Sequence, residues 1–92
     1  MILSFRHKAL RRLYEEDDRA KLPPDLVERI ADILAALDAA TGPDDLNRPS
    51  FRLHALKGDR KGQWAVVVRA NWRIVFAFAG ADVIDVDFLD YH

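Results

Sequence analysis

The 92-residue chain contains no cysteine and only four glycines and four prolines. Without cysteine it can form no disulfide, no thiol nucleophile and no thiolate-bound metal, which suits a reducing compartment. The apolar start of the chain, residues 1–5, is too short for a signal-peptide core or a membrane span. We therefore expect a cytoplasmic protein with no membrane partner. Half of its residues are hydrophobic, which at this length fits one domain covering residues 1–92.

Hydrophobic spacing in the first half predicts a short strand over residues 1–5 and then two helices. The first helix is expected over residues 6–18, with Leu10, Leu13 and Tyr14 on its apolar face. The second helix begins near Pro24 or Asp25 and ends at Thr41-Gly42-Pro43, where Gly42 suits the position after the last turn. Its apolar residues recur at helical spacing and form one stripe: Leu26, Ile30, Ile33, Leu34 and Leu37.

The period changes to two after residue 50, which predicts strands over residues 51–56, 63–69, 72–78 and 83–88. Ala70-Asn71 is a hairpin signal because Asn tolerates a positive φ. In the last strand, Ile84, Val86 and Phe88 are expected on the face opposite to Asp85 and Asp87. The short connections favour an antiparallel meander. The fold class predicted is therefore α+β, with two antiparallel helices packed on a mostly antiparallel sheet of about four strands.

Charge is unevenly distributed along a chain whose formal net charge is only −1. Residues 48–73 contain a single acid, Asp59, and seven basic residues: Arg48, Arg52, Lys57, Arg60, Lys61, Arg69 and Arg73. Such segregation permits a positive, anion-binding face on a near-neutral protein. A solvated surface of salt bridges would give the same composition, so the charges alone leave both interpretations open.

Several familiar sites are absent from the sequence. Gly58 and Gly62 do not form a phosphate-binding loop, and the chain contains no His-Glu-x-x-His pattern. Asp85, Asp87 and Asp90 follow a strand pattern rather than that of a calcium loop. We therefore expect neither a metal nor a cofactor.

Five residues of the second half could together cleave RNA through its own 2′-hydroxyl group: His54, Lys57, Arg73, Tyr91 and His92. That reaction needs a base, an acid and cations that stabilise charge on phosphorus. Histidine titrates near neutral pH, the arginine fork matches phosphate oxygens, and tyrosine can stack on a base or relay a proton.

Each of these residues also has a purely structural interpretation. His54 could be a half-buried strand residue, and Lys57 a solvated turn lysine. Arg73 could pair with Asp85 or Asp87 across the sheet. The last two residues of a chain are usually frayed. The remaining candidates for contact with RNA are Arg48, Arg52, Arg60, Lys61 and Arg69. His7 is expected on the helix surface, and Trp64 and Trp72 in the core.

The order of several short motifs resembles the HigB toxins of the RelE/ParE superfamily. These motifs are His54-x-Leu56-Lys57-Gly58-Asp59, Gly62-x-Trp64-Ala65-Val66, Asn71-Trp72-Arg73-Ile74-x-Phe76-x-Phe78, and the ending Asp90-Tyr91-His92. The resemblance covers nearly the whole chain. It implies a RelE-like ribonuclease fold, and a ribosome-dependent endoribonuclease that cuts translated messenger RNA in the A site without a metal.

The resemblance further implies a HigA-like helix-turn-helix antitoxin, which would carry the complex to operator DNA, and functional roles for His54, Lys57, Arg73, Tyr91 and His92. It leaves open which group is the acid and which the base. Two other functions fit the same fold: a non-catalytic ParE-like toxin that binds gyrase, and a binding module that has lost toxicity. The first has no evident need for the five-residue set. The second is suggested by the near-neutral charge, since many relatives are basic.

Overall fold

The computed structural model describes residues 1–91, in which two helices cover one face of a four-stranded antiparallel sheet. This is the α+β architecture predicted from the sequence. The elements are α1 (Lys8–Glu16), α2 (Val27–Ala39), β1 (His54–Ala55), β2 (Gln63–Arg69), β3 (Trp72–Ala79) and β4 (Asp82–Asp90). The strands lie in the order β1-β2-β3-β4, so each pairs with its neighbour in sequence. Short 3-10 turns occupy Pro43–Leu46 and Gly58–Arg60.

The core lies between the helices and the sheet. The predicted stripe on α2 is confirmed, since all its members are buried, as is Leu26 just before the helix. It meets apolar side chains from the central and last strands, chiefly Val66, Ile74, Phe76 and Val86. Burial of such side chains contributes roughly 1.5–3 kcal/mol each. The core therefore depends on alternate residues of each strand and leaves the other residues free for another role.

The first five residues run beside β4 in parallel and make two isolated bridges rather than a full strand. Ile2 pairs with Val83 and Phe5 pairs with Val86. The Leu3 N–H donates to the Val83 carbonyl at 2.8 Å. The expected strand at residues 1–5 is thus only partly formed, and it covers what would otherwise be an exposed sheet edge.

Tyr14 differs from the expectation that it lies on the apolar face of the first helix. Its side chain is 37% exposed, and Ala9, Leu10 and Leu13 form the buried face instead. The Tyr14 hydroxyl donates to Asp38 Oδ1 at 2.6 Å, and the same oxygen accepts the Ile2 N–H at 3.0 Å. The contact with Asp38 and partial burial raise the pKa of Tyr14 to about 12, while the two donors hold the pKa of Asp38 below its usual value. One carboxylate therefore joins both helices to the N-terminal segment.

A bulge in β4 makes the predicted facing of Ile84 wrong. Ala77 pairs with Ile84 and Val75 with Asp87, so two residues lie opposite Phe76. Asp85 adopts φ 57°, and its N–H donates to Ser4 Oγ at 2.9 Å. The extra residue turns Ile84 to the other face and places Val83 in the core beside Val86 and Phe88.

Three local predictions fail because of backbone conformation. The first of the four strands contains only His54–Ala55, because Arg52 adopts φ 47° and interrupts the extended chain. In the hairpin it is Ala70, with φ 50°, that takes the left-handed conformation expected of Asn71. Gly42 is extended, with φ −174°, and helix α2 ends instead at Ala39, with Ala40 as its C-cap.

Candidate active site

The face of the sheet opposite the helices is here called the open face. It carries His54 and Arg73, and the backbone of Tyr91 is bonded to the hairpin beside Arg73. Cross-strand partners project to the same face. The register aligns His54 with Ala65, Ala65 with Val75, and Val75 with Asp87. Ala65, Val75 and Leu56 are buried and pack with Leu89 to form a small apolar floor. Polar side chains around this floor are therefore supported by packed residues and remain accessible to a ligand.

Arg73 lies on the open face, one alternate position from Val75 in β3, as the sequence predicts. Its side chain is half-buried, and its Nη1 donates to the carbonyl oxygens of Ala70 at 2.5 Å and Trp72 at 3.1 Å. These bonds hold one edge of the guanidinium against the β2–β3 hairpin. Within residues 1–91 no carboxylate forms an ion pair with Arg73.

The two acids considered as partners of Arg73 have other contacts. Asp85 Oδ1 accepts from Ser4 Oγ at 3.4 Å, and Asp87 Oδ1 accepts from the Phe88 N–H at 2.9 Å. The structural interpretation of Arg73 as half of a cross-strand ion pair is therefore wrong for the described part of the chain. Its remaining N–H donors can meet an anion, which is the arrangement that phosphate recognition requires.

Tyr91 is held at the same hairpin as Arg73. Its backbone N–H donates to the Asn71 carbonyl at 2.7 Å, directly after the pairing of Trp72 with Asp90 in the sheet. Its side chain is 38% exposed. The backbone at this position is tied to the sheet, so the usual interpretation of a chain end as frayed does not apply to Tyr91. His92 lies outside the described residues.

His54 lies across the floor from Arg73. Its exposed imidazole is 3.2 Å from the Arg52 carbonyl, measured from Nδ1. Because β1 and β3 are separated by β2, and His54 is in register with Val75, two residues from Arg73, the two backbone positions are roughly 12 Å apart.

Lys57 is exposed and directly precedes the turn Gly58–Arg60, one residue beyond the buried Leu56. The turn lies beside the β1 end of the open face, because the Leu56 N–H donates to the Gln63 carbonyl at 2.9 Å. Lys57 is therefore nearer in the fold to His54 than to the hairpin that holds Arg73.

The other predicted cations divide into two groups. Arg60 donates to Gln63 Oε1 at 3.1 Å beside the open face, and Arg52 and Lys61 are exposed near it. Arg48 lies instead over the Phe51 ring, 4.9 Å from its centroid, in a surface pocket beside α2. Arg69 forms an ion pair with Asp25. The structure thus does not assemble the basic stretch into one patch, and Arg48 and Arg69 are directed elsewhere.

His7 is a residue that sequence reasoning misplaced. It precedes α1 as its N-cap and is half-buried, and its ring meets the Phe88 ring edge-on at 5.8 Å. Its Nδ1 is buried, and no partner for it exists among the described residues. No sequence pattern signals this setting, because Phe88 is 81 positions away. Trp64 and Trp72 pack against the core, as predicted.

The described residues, 1–91, contain neither a cluster of metal-ligand type nor a membrane-spanning helix. No three His, Asp or Glu side chains there are grouped as metal ligands would be. None of the helices in that part of the chain has the length and apolar character needed to cross a membrane.

Known proteins resemble the chain over its full length. It is 48% identical over 92 residues to Endoribonuclease HigB of Proteus vulgaris, covering 100% of both chains. It is 33% identical over 94 residues to Toxin HigB-1 of Vibrio cholerae serotype O1, covering 100% of this chain and 98% of that one.

Solved structures share the fold at low sequence identity. The YoeB–YefM complex from Staphylococcus aureus superposes with a TM-score of 0.63 at 15% identity, covering 100% of this chain and 95% of that chain. The YoeB/ParE toxin from Agrobacterium tumefaciens gives 0.54 at 21% identity, covering 97% and 99%. Residues 3–92 match the family described as HigB, a RelE-like toxin of type II toxin–antitoxin systems. The chain therefore belongs to the HigB-like family of RelE-like toxins.

Proposed function

We propose that this toxin is a ribosome-dependent endoribonuclease that cleaves translated messenger RNA in the A site by acid–base chemistry of its own side chains, without a metal. The observation that carries the proposal is the state of Arg73. It is anchored on two hairpin carbonyls and has no acidic partner in residues 1–91, and the Tyr91 backbone is tied to the same hairpin. An arginine positioned in this way is suited to a phosphate rather than to the stability of the sheet.

The roles are proposed from side-chain chemistry and, for the described residues, from position. Arg73 stabilises the charge that develops on phosphorus, because its donors are already oriented before RNA binds. His54 and His92 are the candidates for base and acid, and Tyr91 stacks on a base or relays a proton. Lys57 supplies positive charge at the β1 end of the floor.

Dependence on the ribosome is supported by the low overall charge. A net charge of −1 gives weak long-range attraction to free RNA, whose binding depends mainly on phosphate neutralisation. A message already positioned by the ribosome does not need such attraction. Arg52, Arg60 and Lys61 are the cations best placed to orient it, since all three lie near the open face.

The proposed partners follow from membership of a toxin–antitoxin family. We expect an antitoxin of the HigA-like helix-turn-helix class in the same cytoplasmic compartment, and contact with operator DNA only through the toxin–antitoxin complex. The main support for an enzymatic toxin is the 48% sequence identity to Endoribonuclease HigB of Proteus vulgaris over the full length of both chains.

The test is cleavage of a defined message by the purified chain, mapped by primer extension, with programmed ribosomes and with free message. Cuts at A-site codons only when ribosomes are present are expected. If the chain binds programmed ribosomes and the message stays intact, the proposal is wrong. A parallel supercoiling assay with gyrase examines the ParE-like alternative, which stoichiometric inhibition of gyrase would favour.

A further inference from the structure

A second cationic surface lies at the start of α1, outside the basic stretch 48–73. It surrounds a cavity of about 540 Å³, here called the α1 pocket, lined by Arg6, His7, Lys8, Ala9, Arg12 and Lys21. Lys8 and Arg12 are one helical turn apart and therefore share a face of α1. Ala9 is the sole apolar residue among those six. The lining thus offers charged donors on aliphatic stems, which form much of its surface, and it includes no large aliphatic side chain.

The cations of the α1 pocket are not neutralised by the protein. Within residues 1–91 no ion pair involves Arg6, Lys8, Arg12 or Lys21. Other cations of this chain do find acids: Arg19 pairs with Glu28 and Asp17, and Arg69 pairs with Asp25. Four unneutralised positive charges around one cavity repel each other, and an anion in the cavity relieves that repulsion.

The backbone adds to the positive character of the pocket. His7 provides no side-chain cap for α1, and no acid occupies the first turn of the helix. The free N–H groups and the positive end of the helix dipole therefore face the region of the pocket without a carboxylate to compensate them.

Aromatic contacts connect the α1 pocket to the proposed active site. The His7 ring meets Phe88, and the Phe88 ring stacks on Trp72 at 4.7 Å between centroids. Trp72 directly precedes Arg73 in β3. Because Met1 to Phe5 runs parallel to β4, α1 begins at the same end of the sheet as the hairpin that holds Arg73 and Tyr91. The two places therefore share one end of the sheet but lie on opposite faces, and an RNA that reaches both has to pass around that end.

We infer that the α1 pocket binds a backbone phosphate of the RNA that the toxin engages through its open face. This inference rests on the proposed function, which supplies RNA as the ligand. RNA backbone is favoured over an acidic protein because four cations without an ion pair in residues 1–91 suit a chain of phosphates, and the lining includes no large aliphatic side chain to anchor a protein. The α1 pocket acts in binding and not in the chemical step.

The test compares Arg12→Ala with Arg11→Ala, which removes the same charge from the adjacent, exposed residue of α1 that does not line the pocket. Equilibrium affinity of the full chain for 70S ribosomes is measured over a range of salt concentrations. Arg12→Ala is expected to weaken binding about tenfold, as for a lost charged hydrogen bond. It should reduce the slope of log affinity against log salt by about 0.7–0.9, the value for one phosphate contact. Arg11→Ala should change the slope much less.

The cleavage rate at subsaturating toxin should fall for Arg12→Ala in proportion to its ribosome affinity and stay unchanged for Arg11→Ala. Vacant and programmed ribosomes then identify the strand. An effect on both indicates ribosomal RNA, and an effect on programmed ribosomes alone indicates the message. Either result supports the inference.

Equal ribosome affinity and salt slope for Arg12→Ala and Arg11→Ala would overturn the inference. So would a loss of antitoxin affinity without a loss of ribosome affinity, which would assign the pocket to an acidic protein. If the unaltered chain binds ribosomes but does not cut message, the proposed function fails while the salt-slope comparison still decides the role of the α1 pocket.

Discussion

The two faces of the sheet are built from the same strands but have opposite properties. The helix-covered face is closed by α1 and α2, and its side chains in β3, Ile74 and Phe76, are fully buried. The open face has a floor of only three buried residues surrounded by exposed or half-buried polar groups. Successive residues of β3 therefore point to different faces, so the side chains that stabilise the core alternate with those available to a ligand.

The largest effect is expected from Phe76→Ala on the helix-covered face. Phe76 is fully buried, and truncating a buried Phe typically costs about 3–5 kcal/mol of unfolding free energy. Urea denaturation measures the change. Phe78→Ala is the control, because Phe78 is only partly buried and packs at the margin of the core. Equal losses of unfolding free energy for the two variants would show that Phe76 is not more central to the core than Phe78.

Arg73→Ala should separate the faces most clearly. It is expected to lower ribosome-dependent cleavage at least about a hundredfold, because a preorganised donor to the reacting phosphate is lost. The unfolding free energy should fall by only about 1 kcal/mol, since two hydrogen bonds to exposed hairpin carbonyls are lost. Single-turnover cleavage and urea denaturation are the two measurements.

Arg73→Lys is the matched control for that prediction. It keeps the charge but removes the planar fork, so cleavage should remain well below that of the unaltered chain. Full activity of the lysine variant would mean that charge alone is needed. A cleavage loss in Arg73→Ala matched by a loss of folding would make Arg73 a structural residue.

Tyr14→Phe tests the joint between the helix layer and the N-terminal segment. It should lower the unfolding free energy at pH 7 by about 1 kcal/mol or less, because the hydrogen bond to Asp38 is partly exposed. Since Tyr14 and Ile2 lower the pKa of Asp38, its contribution is complete above its unfolded pKa of about 3.9 and is lost as pH falls through the lower folded value.

The pKa of Tyr14 is raised to about 12, so its contribution to stability depends on pH in the opposite direction to that of Asp38. Its contribution is complete below the unfolded value of about 10 and disappears as pH rises toward 12. Urea titrations at acid, neutral and alkaline pH should therefore show a flatter profile for Tyr14→Phe at both extremes. An unchanged profile would show that the Tyr14–Asp38 hydrogen bond does not contribute to stability. Cleavage at neutral pH should be unaffected.

The smallest effect is expected at the hairpin that supports the open face. Ala70 has φ 50°, where an alanine is strained by roughly 1 kcal/mol or more and glycine is not. Glycine also gains freedom in the unfolded chain, which offsets about 0.5–1 kcal/mol of the relief. Ala70→Gly should therefore change the unfolding free energy by less than about 1 kcal/mol. A clear loss would mean that the methyl group makes a contact that the hairpin needs.

Regular periodicity was sufficient to predict most of the fold. Strand β2 has the predicted bounds, the α2 stripe is buried, and Arg73 projects away from the core. These features depend on nearby residues alone. Ile84 was placed on the wrong face because the bulge at Asp85 depends on Ser4, which is distant in sequence.

Tertiary contacts also decided which cations surround the candidate site. Arg69 forms an ion pair with Asp25 in the loop before α2, and Arg48 lies over the Phe51 ring. The Arg69–Asp25 contact joins residues 44 positions apart and has no local sequence signal, whereas Arg48 and Phe51 are close neighbours in one loop. The setting of His7 depends in the same way on Phe88. The catalytic roles of His54, Lys57, Arg73, Tyr91 and His92 remain predictions.

The bridges between the first residues and β4 set an order of events in folding. Ile2 and Phe5 find their partners only at Val83 and Val86, so the loop that closes this contact includes almost the entire chain. During synthesis the two helices emerge without the sheet that buries them, and the hairpin emerges before the strand that completes it. The nascent toxin therefore cannot close its core or assemble the Arg73–Tyr91 end until its final strand has left the exit tunnel.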